Sequence, residues 1–437
     1  MKNKHCSMVI LVLAISLQIA NAMDYVDLDQ YKGYVSVEPV GGGLVELIEA
    51  PVAEAWKSLK ASLNETVVAD NISSEYFWNT LRSSLETGTF YNSFANLQTQ
   101  NNGTGSDIFM RNIYRSIIQV PVKYQSISPK GDTLLLSGKI FLPKNKRAKN
   151  IIIANHYTIC ANSEAPSRAS SIEGIYATKD YIVLMADYVG YGISDSLPHP
   201  YLHLESTVVP VIDLLKAAIP YLKANSYTFS HSVILLGYSQ GAAVTLAVQK
   251  ELEENYAYEF PITKVYAGAG PYDLSGTFDY YINNPKTNIP CSLPMLVVGM
   301  DFGENLGIEI DDIFQPMLQE KYPLLIESKK VTMNDVNKEL GNDIAQLLKP
   351  IIFEKDSFPT SILYETVKKN SILQWTPTSE MYLFHSTQDD MVPFLNSSNI
   401  KNEFDKQDLD NIQYDFAPYE GHMKAAISFF EKVYKSL

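Results

Sequence analysis

A serine set between glycines, a few histidines and two neighbouring carboxylates are the residues of this chain from which chemistry could be built. The serine is Ser239, in Gly237-Tyr238-Ser239-Gln240-Gly241. Its hydroxyl becomes a useful nucleophile only when a base takes its proton and an acid holds that base in the right tautomer. The G-x-S-x-G pattern also occurs by chance in unrelated chains, so its surroundings have to decide. An apolar run, Val233 to Leu236, enters it, and a helical pattern, Ala242 to Leu252, leaves it. Strand, sharp turn and helix in that order define a nucleophile elbow. The two glycines let neighbouring chains approach closely, and Ala242 and Ala243 keep the emerging helix slim. A turn serine without chemical consequence weighs little against this context.

Of the 7 histidines only His385 and His422 follow Ser239. Behind such an elbow the chain order is serine, then acid, then histidine. His385 precedes the best acids, so it is read as a structural residue that fixes the loop at a strand end. His422, in Tyr419-Glu420-Gly421-His422, is read as the base, in a loop between the last strand and the last helix. The acid is expected within Thr387-Gln388-Asp389-Asp390-Met391-Val392-Pro393. Counting back from Val392-Pro393 favours Asp389; Asp390 is the second choice, read as a solvated cap of the next helix. A developing oxyanion needs two aligned backbone N–H groups. One is expected from Gln240, the other from Asn155-His156-Tyr157-Thr158, where Tyr157 and Thr158 remain alternatives. His156 is expected to be architectural.

These groups can meet only if the segments carrying them end near one another, and the hydrophobic pattern supplies such a scaffold. Residues 116–273 begin with an alternating stretch, Ile117 to Pro143, that turns at Pro129-Lys130-Gly131-Asp132 and reads as an antiparallel hairpin. Short runs with no wet face follow, Ile151 to Ala154, Ile182 to Ala186 and Val233 to Leu236, with helical patterns between the later ones. Buried strands alternating with helices imply an α/β fold, a mostly parallel central sheet with helices on both faces. Residues 274–376 are mostly helical and lack strand rhythm, so they are expected to form a helical cap, or lid, inserted before the penultimate strand. Met381 to Phe384, Ile412 to Phe416 and a helix from about Met423 complete the core over 377–437. Residues 23–115 read as a helical N-terminal extension without recognisable chemistry.

Composition excludes several function classes. The chain has 437 residues, 46% hydrophobic and 19% charged, and a net charge of −14. Such an acidic surface repels phosphate backbones and anionic lipids, which argues against a nucleic-acid partner. Residues 1–22 read as a signal peptide: Lys2 and Lys4, an apolar run from Met8 to Ala20, and the small-x-small site Ala20-Asn21-Ala22. The run is short for a stable membrane span, so a secreted or periplasmic location is expected. Cleavage removes Cys6 and leaves Cys160, in the oxyanion loop, and Cys291, in the cap; pairing them would restrain the cap. Sequons begin at Asn64, Asn71, Asn102 and Asn396.

Several segments from about Val120 to the end resemble the α/β-hydrolase superfamily, and within it the secretory lipase family and its bacterial relatives. They are Ala154 to Ser167, Ala186 to Ser196 (ADYVGYGISDS), Gly237 to Ala242, Ala267 to Leu274 (AGAGPYDL), Ser386 to Pro393 and Glu420 to His422. The resemblance implies the α/β-hydrolase fold and a triad of Ser239, Asp389 and His422. It also implies that Asp187 and the Gly190/Gly192 loop shape the site floor without chemistry. The chain departs from the family pattern where His156-Tyr157 stands for His-Gly. The bulk of Tyr157 is expected to narrow the acyl pocket or to shift the N–H donor by one residue.

The function expected from these residues is a serine hydrolase that cleaves carboxylic esters through an acyl-enzyme, with no metal or cofactor. Its substrate would be a small or lipid-like ester. The same triad serves amide cleavage, so a serine peptidase is the alternative enzyme. A non-catalytic binding protein of this fold would have lost a triad member, and all are in place.

Overall fold

Successive side chains of a strand point to opposite faces, so a strand made wholly of apolar residues must be covered on both. In Ile151–Asn155, Ile151 and Ile153 join one apolar cluster, whereas Ile152 and Ala154 join the other. The same division runs through Ile182–Ala186, Val233–Tyr238 and Met381–Ser386. The sheet is therefore the middle layer of three.

The computed structural model describes residues 25–32, 78–79, 81–83, 116–128, 130–169 and 171–437. Among these the strands are β1 (Val26–Asp27), β2 (Ile117–Ile127), β3 (Thr133–Pro143), β4 (Ile151–Asn155), β5 (Ile182–Ala186), β6 (Val233–Tyr238), β7 (Ile262–Gly268), β8 (Met381–Ser386) and β9 (Ile412–Ala417). They form one sheet in the order β1-β2-β3-β5-β4-β6-β7-β8-β9. From β5 to β9 every pairing is parallel, while β3 runs antiparallel to both β2 and β5. The hairpin register runs from Ile117 opposite Pro143 to Ile127 opposite Thr133.

Helices α1 (Glu205–Ala224) and α2 (Gln240–Asn255) cover one face through residues such as Val211, Leu215, Val244 and Val248. The other face carries a 3-10 segment, Ile172–Lys179, and the last helix, which buries Ala425, Phe429, Phe430 and Val433. Between β7 and β8 the chain leaves the sheet and forms helices α3 (Leu274–Asn283), α4 (Ser292–Glu304), α5 (Ile310–Ile313), α6 (Pro316–Tyr322), α7 (Met333–Leu340) and α8 (Thr360–Lys369). Two final helices follow β8 and β9: α9 (Leu395–Asp405) and α10 (Gly421–Ser436).

Polar ties fasten this helical insertion to the core. Lys329 Nζ donates to the carbonyls of Asp195, at 2.7 Å, and Leu197. Glu164 Oε2 accepts from the backbone N–H groups of Cys160, Ala161 and Met333. Cys160 and Cys291 are both free thiols in the buried core. Cys160 Sγ lies 3.8 Å from Met295 Sδ, and a hydrogen bond with the Cys291 thiol, together with burial, pushes the Cys160 thiol pKa up.

The expected signal peptide and sequons at Asn64, Asn71 and Asn102 lie outside the described residues, as does most of 23–115. Of that extension, residues 25–32 include β1 and a single 3-10 turn, Leu28–Tyr31, and the described residues within 78–83 are helical. Asn396 differs from the surface site its sequon suggests. It is fully buried, and its amide donates to Thr277 Oγ1 and the Pro393 carbonyl. No described helix is long and apolar enough to cross a membrane.

Candidate active site

Strand β6 delivers Ser239 into a turn so sharp that its backbone takes φ 56° and ψ −128°. A non-glycine residue held there costs roughly 1–3 kcal/mol, which the surrounding structure must supply. The flanking glycines are dictated by contact. A Cβ on Gly237 would stand 2.1 Å from the Gly241 carbonyl oxygen, and one on Gly241 would stand 2.0 Å from that of Asn155. The second contact sets the loop after β4 directly against the elbow. Gln240 opens α2, where the first N–H groups of a helix have no intrahelical acceptor and carry a partial positive charge.

The loop after β4 holds the residues expected to complete the oxyanion site. Thr158 is buried, and its Oγ1 lies 2.9 Å from Tyr201 Oη. Tyr157 packs beside Ile159, Ala165 and Tyr191, away from the residues that line the cleft at Ser239. His156 is architectural: its ring stacks on Tyr188 with centroids 3.9 Å apart, and its Nδ1 lies 2.6 Å from the Tyr157 carbonyl. Burial lowers its pKa. Asp187 is likewise spent on structure, accepting from Ser137 Oγ at 2.6 Å and from Ser167 N at 2.7 Å.

His422 stands in the first turn of α10 rather than in the loop before it, because the helix begins at Gly421. Its Nδ1 donates to Asp389 Oδ2 at 2.6 Å. Its backbone carbonyl accepts from Tyr238 Oη at 2.8 Å, and the two rings lie 4.9 Å apart. Since Tyr238 precedes Ser239, the same residue anchors both the elbow and the histidine. The side-chain hydrogen bonds of Asp389 and His422 do not extend to Ser239 Oγ.

Asp389 is fully enclosed. Its Oδ1 accepts from the N–H groups of Met391, at 2.9 Å, and Val392, at 2.7 Å. Burial alone would raise this carboxyl, but the charge of His422 and hydrogen bonds from His385 and His422 hold it well below the usual carboxylate range. Asp390 does not cap the next helix. Its Oδ1 accepts from His422 N at 2.8 Å, so it caps α10, and its Oδ2 accepts from Asn288 of the insertion at 2.9 Å.

A cleft opens beside Ser239 and Gln240, enclosing about 560 Å³ of empty space that is partly open to solvent. Helices α3 and α4 line it with Leu274, Phe278, Tyr281, Leu293 and Leu296, and none of its lining residues is charged. Among the described residues no group of three or more His, Cys, Asp or Glu is arranged to hold a metal ion.

Residues 175–430 match the sequence pattern of the secretory lipase family. The chain belongs to that family. Its relationship to solved structures is one of fold. The rice cell wall degrading esterase LipA from Xanthomonas oryzae is 22% identical, with a TM-score of 0.65 over 75% of this chain and 92% of that one. Candida antarctica lipase A is 15% identical, with a TM-score of 0.56 over 72% of this chain and 74% of that one. A search of curated proteins returned no match. As a member of this family the protein is a carboxylic ester hydrolase of the α/β-hydrolase fold.

Sequence reasoning missed two features of the site: His385 touches Asp389, and Asp390 grips the backbone of His422. Spacing gave a signal only for the first, since His385 stands four residues before Asp389 at the end of a strand. Helices α3 and α4, within the segment read as a cap, supply part of the cleft's apolar wall.

Proposed function

We propose that this lipase is a secreted serine esterase in which Ser239 is the nucleophile, His422 the general base and Asp389 the acid that orients it. The observation that carries this reading is the 2.6 Å contact between His422 Nδ1 and Asp389 Oδ2, made by a histidine whose backbone is tied to the residue before Ser239. With Nδ1–H committed to Asp389, Nε2 is the free base. Catalytic hydrogen bonds can tighten in the complex with substrate, and in this reading Ser239 Oγ completes the relay when an ester binds.

Ser239 Oγ then adds to the ester carbonyl as His422 Nε2 takes its proton. The oxyanion is met by the N–H of Gln240 and by that of Tyr157 or Thr158. Collapse of this intermediate breaks the C–O bond. The alcohol leaves with the proton from His422, and the acyl group stays on Ser239. Water, deprotonated by His422, attacks the acyl-enzyme and releases the acid. The helical insertion acts as a lid whose apolar wall takes the acyl chain. An uncharged lining favours that occupant over a peptide with a charged terminus.

A fluorophosphonate probe tests the nucleophile. The wild-type protein should be labelled and Ser239→Ala should not; equal labelling would remove Ser239 from the mechanism. A panel of short, medium and long acyl esters beside dipeptides tests the substrate class, and turnover of the peptides alone would sink the ester reading.

A further inference from the structure

We propose that His385 is a positioning residue of the catalytic acid, holding Asp389 Oδ2 in line with His422. This rests on the reading of Asp389 as that acid. Both imidazoles converge on one oxygen: Asp389 Oδ2 lies 2.6 Å from His422 Nδ1 and 3.3 Å from His385 Nε2. His385 Nε2 also lies 3.1 Å from the Val392 carbonyl, and its Nδ1 lies 2.7 Å from Ser397 Oγ.

A carbonyl can only accept, so Nε2 carries the hydrogen and shares it between Val392 and Asp389. In the neutral ring Nδ1 is then an acceptor, and Ser397 donates its hydroxyl hydrogen to it. Ser397 and His385 are both fully buried, and Phe394 packs edge-on against the imidazole at 5.5 Å. The ring thus has one orientation.

The consequence falls on Asp389. An ionised carboxylate offers about four acceptor sites. Here Oδ1 uses two on Met391 N and Val392 N, and Oδ2 uses two on the histidines. Terminal rotation of an aspartate is soft. Without His385, Oδ2 would be directed by His422 alone, the group it is meant to direct. Val392 links this device to the substrate side: its carbonyl accepts from His385, and the residue lines the cleft.

The titratable groups facing the pair are His385 and Asp390 from the acid's own segment, Tyr238 from β6 and Tyr281 from α3. Burial pushes both phenols up, so they stay neutral over the working range. Removing the His385 N–H makes Asp389 a stronger acceptor. It would then hold the His422 proton more tightly, and the acid limb of the pH–rate profile would move to higher pH.

The test compares His385→Leu with His385→Gln, whose amide N–H can stand in for Nε2–H. His385→Leu should lose ~10–100-fold in kcat, the range for one hydrogen bond to a charged group. KM should stay near wild type and the acid limb should shift upward, while His385→Gln recovers most of the rate. Ser397→Ala, which frees the ring from behind, gives a smaller loss and a smaller shift in the same direction if His385→Leu does not fold. Wild-type kcat and an unmoved limb in a folded His385→Leu would overturn the inference. So would equal losses in the Leu and Gln variants with no limb shift, which is the signature of a merely structural histidine. Asp389→Asn separates the two readings. If it is inactive while His385→Leu is normal, only the positioning role fails; if it is fully active, the assignment of the acid fails as well.

Discussion

Two of the buried carboxyl groups in this protein, those of Asp389 and Glu173, behave in opposite ways. Asp389, at the end of β8, is met by four donors and stays ionised well below the usual range. Glu173, in the 3-10 segment on the far side of β5, has no hydrogen-bond partner for Oε2 among the described residues, and burial raises its pKa to about 7. Burial is common to both, so it is not what distinguishes them. The number of N–H groups aimed at each oxygen decides whether the buried group keeps its charge. Around Asp389 the chain concentrates donors from two backbone positions and two histidines, and the proposed mechanism uses the charge they fix.

The strongest way to break this contrast is to take the charge from Asp389 and keep its shape. Asp389→Asn should lower kcat by on the order of 10⁴, since an amide cannot hold the imidazole tautomer that leaves Nε2 free. Steady-state kinetics on a soluble ester, with fluorophosphonate labelling as a second readout, measures this. A loss of less than tenfold would mean that the donors around Asp389 serve stability alone. The stability term has its own sign. The folded pKa lies below the unfolded one, so ionised Asp389 stabilises the fold above the ordinary carboxylate range, and this is lost as pH falls toward the folded value.

How much of this could be read in the chain depends on how local the cause is. The elbow was legible because strand, glycine, serine, glycine and helix are consecutive, and each has a local physical reason. That His422 would meet a carboxylate of the Asp389-Asp390 pair was legible by elimination, and the layered sheet by runs of apolar residues too continuous to have a wet face. The roles of His385 and Asp390 were not legible, because each depends on how the loop after β8 folds back. One residue of that loop reaches the end of its own strand, and the other reaches α10. Nor could the fate of Tyr157 be read. Its bulk was plain, but whether its ring faced the cleft or the Ile159, Ala165 and Tyr191 cluster is set by packing between distant segments. Helical periodicity in α3 and α4 likewise says that a face is apolar without saying that it meets Ser239.

Glu173→Gln sharpens the comparison from the other side. The reference carboxyl ionises near 4.5 and the folded one at about 7, so between those values the folded state binds more protons. Wild-type stability should therefore fall as pH rises across that window, because the unfolded chain gains a charge that the folded core resists. The neutral amide removes this dependence, and at pH 8 the variant should gain up to roughly 3 kcal/mol relative to its difference from wild type at pH 4. Thermal or urea unfolding of both proteins across this range reads the difference directly. Ester turnover should be unchanged, since Glu173 lies outside the cleft. Parallel stability curves would show that the Glu173 carboxyl finds a partner that offsets its burial.

The smallest effect is expected at Asp390, an exposed carboxylate next to one whose side chain is enclosed. It neither touches the His422 ring nor lacks donors. It accepts from the backbone N–H of His422 and from Asn288, and so works as a helix cap that fixes where the imidazole starts. Asp390→Asn keeps an acceptor oxygen for the cap and loses only the charge near the start of α10, which is worth about 0.3–1 kcal/mol. Asp390→Ala removes the acceptor too and should cost about 1 kcal/mol in stability. In kcat the first variant should stay within about threefold of wild type, and the second should fall by no more than about tenfold. The order Asp389→Asn far below Asp390→Ala, and Asp390→Ala below Asp390→Asn, is the pattern that separates an acid acting on the ring from a cap acting on the backbone. If Asp390→Asn were the most damaging of the three, the acid would have to be moved to Asp390, and the converging histidines on Asp389 would become a structural knot.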